Sequence, residues 1–178
     1  MKLLLSAILV LSSAILPSYA VAELQDLSGN PSAISNYAGK GKWTTVILWR
    51  SDCHACNAEA EQYIQFHEAY KDKHIQMLGI SMDGQKELDA AKAFIKRHGV
   101  TYPNLIGEFD EVATMYEIIS RGPWVGTPTI LVYNPKGELL AAQPGAVPTE
   151  LIEEFIEQNM AESMSGQEKA NQTADKPK

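Results

Sequence analysis

Cys53 and Cys56 are the only two cysteines in this chain of 178 residues, and two residues separate them. An apolar, β-rich run at 44–49 precedes the pair, and apolar residues at helical spacing follow it. This arrangement puts Cys53 at the exposed first turn of a helix, where free N–H groups and the positive end of the helix dipole favour a thiolate. The pattern predicts a redox dithiol, in which Cys53 attacks a disulfide and Cys56 resolves the mixed disulfide.

A structural disulfide is the first alternative to a redox role, because exported proteins ordinarily use their cysteines as staples. A bridge across two residues closes almost no loop, however, and so constrains the unfolded chain very little. A chain of this length also buries enough apolar surface to fold without a staple. We therefore favour the redox interpretation.

The first 22 residues have the form of a cleavable export signal. Lys2 gives a positive start, the run at 3–16 is almost wholly apolar, and small residues suited to signal peptidase follow Pro17. The apolar run is shorter than the about 20 residues that a membrane span needs, so an uncleaved membrane anchor is the less favoured alternative. We expect a protein exported to a bacterial periplasm.

Charge and composition limit the expected partners of the rest of the chain and indicate the bounds of its domain. Acidic residues outnumber basic ones by 22 to 15, and no basic run is present, so nucleic acid and anionic membrane surfaces are not expected partners. The segment 161–178 is polar and lacks aromatic residues, which predicts a disordered tail. The segment 23–160 is then a single domain of ordinary size.

Periodicity and turn residues predict the order of elements in that domain. Glycines between short apolar stretches at 23–42 predict a hairpin. Strands are predicted at 44–49, 74–81, 129–133 and 138–142, and helices at 53–71, 85–98, 110–118 and 148–158. Strands that alternate with helices and end in a hairpin and a helix predict an α/β sandwich with a mixed sheet.

This order, with the dithiol at a helix start, Tyr102-Pro103 and Thr127-Pro128-Thr129 before a strand, resembles the thioredoxin fold. More narrowly, it resembles the TlpA/ResA-like branch of exported thiol–disulfide oxidoreductases. The resemblance covers about 24–158. It implies a thioredoxin-like three-layer α/β/α sandwich with a mixed central sheet and an N-terminal β-hairpin.

The resemblance also implies roles for further residues. The Thr127–Pro128 bond is expected to be cis and to lie beside the dithiol, with the Thr127 backbone free to pair with a substrate strand. Glu59 matches a carboxylate that serves proton transfer, although a solvated surface glutamate would give the same pattern. Trp49 matches an aromatic residue that flanks the site and binds substrate, although a core tryptophan would look the same.

Asp52 and His54, on either side of Cys53, are expected to tune its pKa, and Ser51 and Asp52 stand where the family usually has a tryptophan. Asp52 is predicted to act as the helix N-cap and, by its charge, to disfavour the thiolate. His54 favours the thiolate when it is protonated, and it is also placed where it would contact substrate. We expect the two effects to cancel in part and to leave a redox potential nearer the reducing end.

The leading prediction is an enzyme that reduces protein disulfides without a cofactor or a metal, as a monomer. By resemblance, a membrane-embedded thiol electron donor recharges it. Its targets would be the cysteines of cytochromes c or of copper enzymes, since both must be reduced before they mature.

Two other functions stay open at this point. A periplasmic disulfide oxidase or isomerase would use the same pair, with His54 as the feature that favours it. A Cu(I) or Zn carrier would use Cys53, Cys56 and His54 as soft ligands, but the sequence offers no obvious fourth ligand.

Overall fold

The computed structural model of this protein describes residues 22–174, with side chains as far as residue 165. The predicted signal peptide at 1–22 therefore lies outside the described residues, apart from Ala22. The strands are β1 Leu24–Asp26, β2 Pro31–Ser32, β3 Trp43–Trp49, β4 Ile75–Ser81, β5 Asn104–Ile106, β6 Thr129–Tyr133 and β7 Leu139–Pro144. The α-helices are α1 His54–Tyr70, α2 Leu88–His98, α3 Phe109–Ser120 and α4 Thr149–Ala174.

All of these strands join one sheet, in the order β2-β1-β5-β4-β3-β6-β7. β3 runs parallel to β4, and β4 runs parallel to β5, whereas β6 is antiparallel to both β3 and β7. The predicted N-terminal hairpin is formed by β1 and β2, with Leu24 opposite Ser32. The sheet is mixed, as the sequence predicts.

Central strand β3 is buried along its whole length, because helices cover both faces of the sheet and both faces of the strand must be apolar. On one face, Ile47 and Trp49 pack with residues of α1, α2 and α4. On the other face, Val46 and Leu48 pack with residues of α3. The result is the expected three-layer α/β/α arrangement of a thioredoxin-like fold.

The sequence and the structure differ at two elements. β5 was not predicted, because its three residues are too few to show a period and begin with an asparagine. α4 continues to Ala174, beyond the predicted helix end at residue 158 and into the segment 161–178 that is predicted to be a disordered tail. Nine of the 14 residues at 161–174 are alanine, glutamate, glutamine, methionine or lysine, which are good helix formers. Among the described helices, none is long and apolar enough to cross a bilayer.

Candidate active site

The two cysteines lie where β3 leads into α1. Cys53 is the N-cap of α1, and its Sγ accepts a hydrogen bond from the backbone N–H of Cys56 at 3.0 Å. The two residues are joined by a disulfide. Cys53 is partly buried, whereas Cys56 is only 3% exposed. Cys53 is therefore the sulfur that a partner can reach, and it lies at the positive end of the helix dipole.

The loop before β6 brings Thr127 against the dithiol. The Thr127–Pro128 peptide bond is cis, as the resemblance implied. The carbonyl oxygen of Thr127 lies 3.4 Å from Sγ of Cys53. The Thr129 side chain fixes this loop, since its hydroxyl donates to the carbonyl of Gly126 at 2.6 Å. The two predicted parts of the site, dithiol and proline loop, are thus in contact.

Asp83 holds the turn that precedes Cys53, a role that the sequence pattern does not predict. Its carboxylate accepts hydrogen bonds from the N–H and the hydroxyl of Ser51, at 3.1 and 3.0 Å. It also accepts one from the buried hydroxyl of Ser81 at 2.7 Å. Parallel strands β3 and β4 end at the same edge of the sheet, with Trp49 beside Ser81. An aspartate two residues beyond β4 therefore reaches the turn beyond β3.

Asn57, in the first turns of α1, was also missed. Its Nδ2 donates to the carbonyl oxygens of Ser51 and Cys53, at 3.1 and 2.8 Å. Its Oδ1 accepts a hydrogen bond from Nη2 of Arg97 at 2.7 Å and lies 3.0 Å from Nε2 of His98. One amide thus links the active-site turn to the end of α2.

The prediction that Asp52 caps α1 is wrong. Cys53 takes the extended N-cap conformation, so the helix begins one residue later than an Asp52 cap would require. The Asp52 carboxylate instead accepts hydrogen bonds from Nε and Nη2 of Arg50, at 2.9 and 3.1 Å. This guanidinium lowers the pKa of Asp52. Because the Asp52 side chain is 68% exposed and paired with a cation, its influence on Cys53 is screened.

Trp49 lies in the core and not at the surface, so the prediction that it contacts substrate is wrong. Its side chain is 2% exposed and stacks on Phe94 with ring centroids 4.3 Å apart. Its Nε1 donates to Oδ1 of Asn104 at 3.0 Å. Trp49 and Cys56 belong to the same buried cluster. The tryptophan therefore supports the dithiol from inside the molecule.

The remaining predicted site residues lie on α1. His54 is the exposed first residue of the helix. Glu59 is partly buried one turn beyond Cys56, and its carboxylate accepts a hydrogen bond from Nε2 of Gln62. Within residues 22–174 no group of three or more His, Cys, Asp and Glu side chains could hold a metal ion.

Aromatic side chains anchor the loop that leads to Thr127. Trp124 packs edge-on against Tyr116 and Phe109, with centroids 5.3 and 6.3 Å away. The N–H of Trp124 donates to the carboxylate of Glu117 at 3.0 Å. The guanidinium of Arg50 lies over the ring of Phe109, 5.6 Å from its centroid. This contact joins the loop to the turn before Cys53.

Comparisons with known proteins agree with this geometry. The model of the AhpC/TSA family matches residues 17–142. The chain is 29% identical to the thiol-disulfide oxidoreductase ResA of Geobacillus kaustophilus over 134 residues, which cover 75% of this chain and 71% of the relative. It is 25% identical to sporulation thiol-disulfide oxidoreductase A of Bacillus subtilis over 140 residues, covering 78% of this chain and 79% of the relative.

A solved structure adds to these matches. The thioredoxin domain of a thiol-disulfide oxidoreductase from Bacteroides vulgatus has a TM-score of 0.60 and 26% sequence identity, and the match covers 76% of this chain and 95% of that one. The family model covers well over half of the chain, and the matched region contains the dithiol and the Thr127–Pro128 loop. The chain therefore belongs to the AhpC/TSA family, within which it is a thioredoxin-fold thiol–disulfide oxidoreductase of the ResA type.

Proposed function

We propose that this protein reduces disulfides in other exported proteins through Cys53 and Cys56. The observation that carries the proposal is the difference between the two sulfurs. Cys53 is the accessible N-cap, with an N–H aimed at its sulfur and the Thr127 carbonyl beside it, whereas Cys56 is buried behind it. This is the arrangement of an attacking thiol and a resolving thiol.

In the reaction, the Cys53 thiolate attacks one sulfur of the substrate disulfide. A bond forms between Cys53 and that sulfur, and the other substrate sulfur leaves as a thiolate and takes up a proton. Cys56 then loses its proton and attacks the sulfur of Cys53, which releases the second substrate thiol. Two electrons pass to the substrate, and the protein is left with the Cys53–Cys56 disulfide that the structure contains.

Further residues have proposed roles in these steps. The backbone of Thr127 pairs with an extended substrate segment next to Cys53. His54, exposed beside Cys53, contacts the same segment. Glu59, one turn beyond Cys56 on α1, accepts the proton of Cys56, and it can do so with one carboxylate oxygen while the other keeps the hydrogen bond from Gln62.

The cellular setting is part of the proposal. Residues 1–22 direct export to a periplasm, and a membrane-embedded thiol donor supplies the two electrons that regenerate the dithiol. The substrates are cysteines that must be reduced before a cytochrome c or a copper enzyme matures. The protein acts as a monomer and needs no bound cofactor.

A comparison of the two directions of exchange tests the proposal. The reduced protein is mixed with insulin, and the oxidised protein is mixed with reduced, unfolded ribonuclease A. We expect fast reduction of insulin and slow oxidation of ribonuclease. The opposite ranking would make the protein a disulfide donor or isomerase, the function for which the exposed His54 was the motivating feature.

Variants of the two cysteines test their order. Cys56→Ser is expected to accumulate a mixed disulfide between Cys53 and the substrate, visible by mass spectrometry. Cys53→Ser is expected to form none, because the buried Cys56 is not reached. Equal trapping by both variants would contradict the assigned roles.

A further inference from the structure

We propose that Asn57 is a positioning residue that couples the positive charge of Arg97 to the thiolate of Cys53. The inference rests on the proposed role of Cys53 as the attacking thiol. It does not depend on the direction in which electrons flow. The Asn57 amide has two contacts on each side, with two backbone carbonyls on one side and the Arg97 guanidinium and His98 imidazole on the other.

The chemistry of the partners fixes the orientation of this amide. The carbonyl oxygens of Ser51 and Cys53 can only accept hydrogen bonds, and the guanidinium of Arg97 can only donate. The side chain between them must donate twice on one side and accept on the other, which an amide does and a carboxylate does not. Because Oδ1 only accepts, Nε2 of His98 must carry a proton and donate to it at 3.0 Å.

Arg97 contacts both Phe94 and the Asn57 amide. Its guanidinium lies 5.7 Å from the centroid of the Phe94 ring, and that ring stacks on buried Trp49. Nη2 of Arg97 then donates to Oδ1 of Asn57 at 2.7 Å. A charge at this oxygen polarises the amide and strengthens its N–H groups as donors.

The polarised amide acts on the residue whose sulfur reacts. Nδ2 of Asn57 donates to the Cys53 carbonyl at 2.8 Å, in addition to the N–H of Asn57, which donates to it at 3.1 Å as the helix begins. Both hydrogen bonds offset the partial negative charge that this carbonyl oxygen presents near the helix N-terminus. Without the amide, the oxygens of Ser51 and Cys53 would present more partial negative charge near the thiolate and raise its pKa.

The experiment measures the pKa of Cys53 in the reduced protein, from the pH dependence of its alkylation by iodoacetamide. Four proteins form a double-mutant cycle: wild type, Asn57→Ala, Arg97→Ala and the double variant. We expect Asn57→Ala to slow alkylation at pH 7 about three- to tenfold, the range that one or two lost hydrogen bonds imply. Arg97→Ala is expected to slow it about twofold or more in the wild-type background and to have no effect in the Asn57→Ala background.

Two control variants separate this coupling from general electrostatics and from folding. Lys96→Ala removes a neighbouring exposed charge from α2 and is expected to leave the rate unchanged. Arg97→Lys keeps the charge and is expected to restore most of the rate lost in Arg97→Ala. Urea unfolding of each protein identifies any loss of fold. If Asn57→Ala does not fold, the comparison of wild type with Arg97→Ala still tests the coupling, because Arg97 is exposed and its loss leaves the Asn57 amide in place.

Two outcomes would overturn the inference. An unchanged Cys53 pKa in Arg97→Ala would show that the charge does not reach the thiolate. Equal effects of Arg97→Ala with and without Asn57 would show that the charge acts directly through space. The proposed function fails separately, since a protein that does not reduce insulin could still show the full coupling in alkylation.

Discussion

Asp83 accepts hydrogen bonds from both the N–H and the hydroxyl of Ser51, at 3.1 and 3.0 Å, although 32 positions separate the two residues in sequence. The carboxylate also accepts from the hydroxyl of Ser81, whose residue is fully buried. The end of β4 therefore fixes the turn at the end of β3. Cys53 follows this turn directly, so the position of the attacking sulfur depends on an aspartate from the neighbouring strand.

Substitution of Asp83 tests this dependence. Asp83→Ala leaves the donors of Ser51 and Ser81 without their acceptor, which is expected to lower the free energy of unfolding by about 1–3 kcal/mol. Insulin reduction should also slow, because the turn before Cys53 is less ordered. Urea unfolding measures the first effect, and the turbidity that insulin develops when its disulfides are reduced measures the second. Asp72→Ala, at an exposed turn position, is the control; a loss in the control as large as in Asp83→Ala would contradict the assignment.

Asp52 is expected to have little influence on the dithiol. The structure removes it from the N-cap and pairs it with Arg50 at the surface. Asp52→Asn should therefore change the equilibrium constant for reduction of the Cys53–Cys56 disulfide by glutathione by less than about twofold, the scale of an exposed ion pair. Thiol trapping in glutathione buffers measures this constant. A tenfold rise in this constant would instead support the prediction that Asp52 makes the dithiol a better reductant.

Gly79 is predicted to tolerate no side chain. A Cβ at this position in β4 would lie 1.9 Å from Oδ1 of Asn104 and 3.0 Å from Nε1 of Trp49. Asn104 would have to move and lose its bond to Trp49, so Gly79→Ala should cost about 2–4 kcal/mol of unfolding free energy. Gly122→Ala is the control, since its Cβ would meet only Ser120 Oγ at 3.7 Å. Equal unfolding midpoints for the two variants would refute the prediction.

His67 is expected to make the fold sensitive to acid. Its side chain is buried, Nδ1 has no hydrogen-bond partner among the described residues, and burial lowers its pKa from 6.5. The unfolded chain therefore takes up a proton before the folded one does as the pH falls. The neutral ring's contribution to stability is complete above about pH 6.5 and is lost as the pH falls through the folded pKa.

Unfolding at several pH values measures this effect. The stability of the wild type should fall between pH 7.5 and pH 5.5 by at most about 1.4 kcal/mol per pH unit for this one proton. His67→Gln should fall less steeply over the same range. Some slope should remain, since burial and Arg97 also lower the pKa of His98. Parallel curves for the two proteins would rule out His67 as the source.

The sequence predicts most of the sheet because the strands are long or clearly bounded. β6 was predicted with its observed bounds at Thr129–Tyr133, since it lies between Pro128 and a turn. α2 ends as expected at Gly99, which takes a left-handed φ of 67°. β5 is formed by pairing with β1 and β4 across the sheet, and nothing in its three residues shows this locally.

The same distinction between local contacts and contacts made by the fold applies to the active site. The dithiol at the start of α1 could be predicted because it depends only on neighbours in sequence. Asp83 and the contact of Asn57 with α2 could not, because the register of β3 on β4 and the packing of α1 against α2 bring these partners together. Asp52 misled because its type favours an N-cap, while Arg50, two positions earlier, binds the carboxylate instead.

The equilibrium redox potential of the Cys53–Cys56 pair tests the central claim most directly. The protein is equilibrated in dithiothreitol and glutathione buffers, and the free thiols are trapped and counted. A reductase that depends on an electron donor should have a potential near or below about −240 mV, close to that of thioredoxin. A potential near about −120 mV, at the strongly oxidising end, would contradict the account and make the protein a disulfide donor.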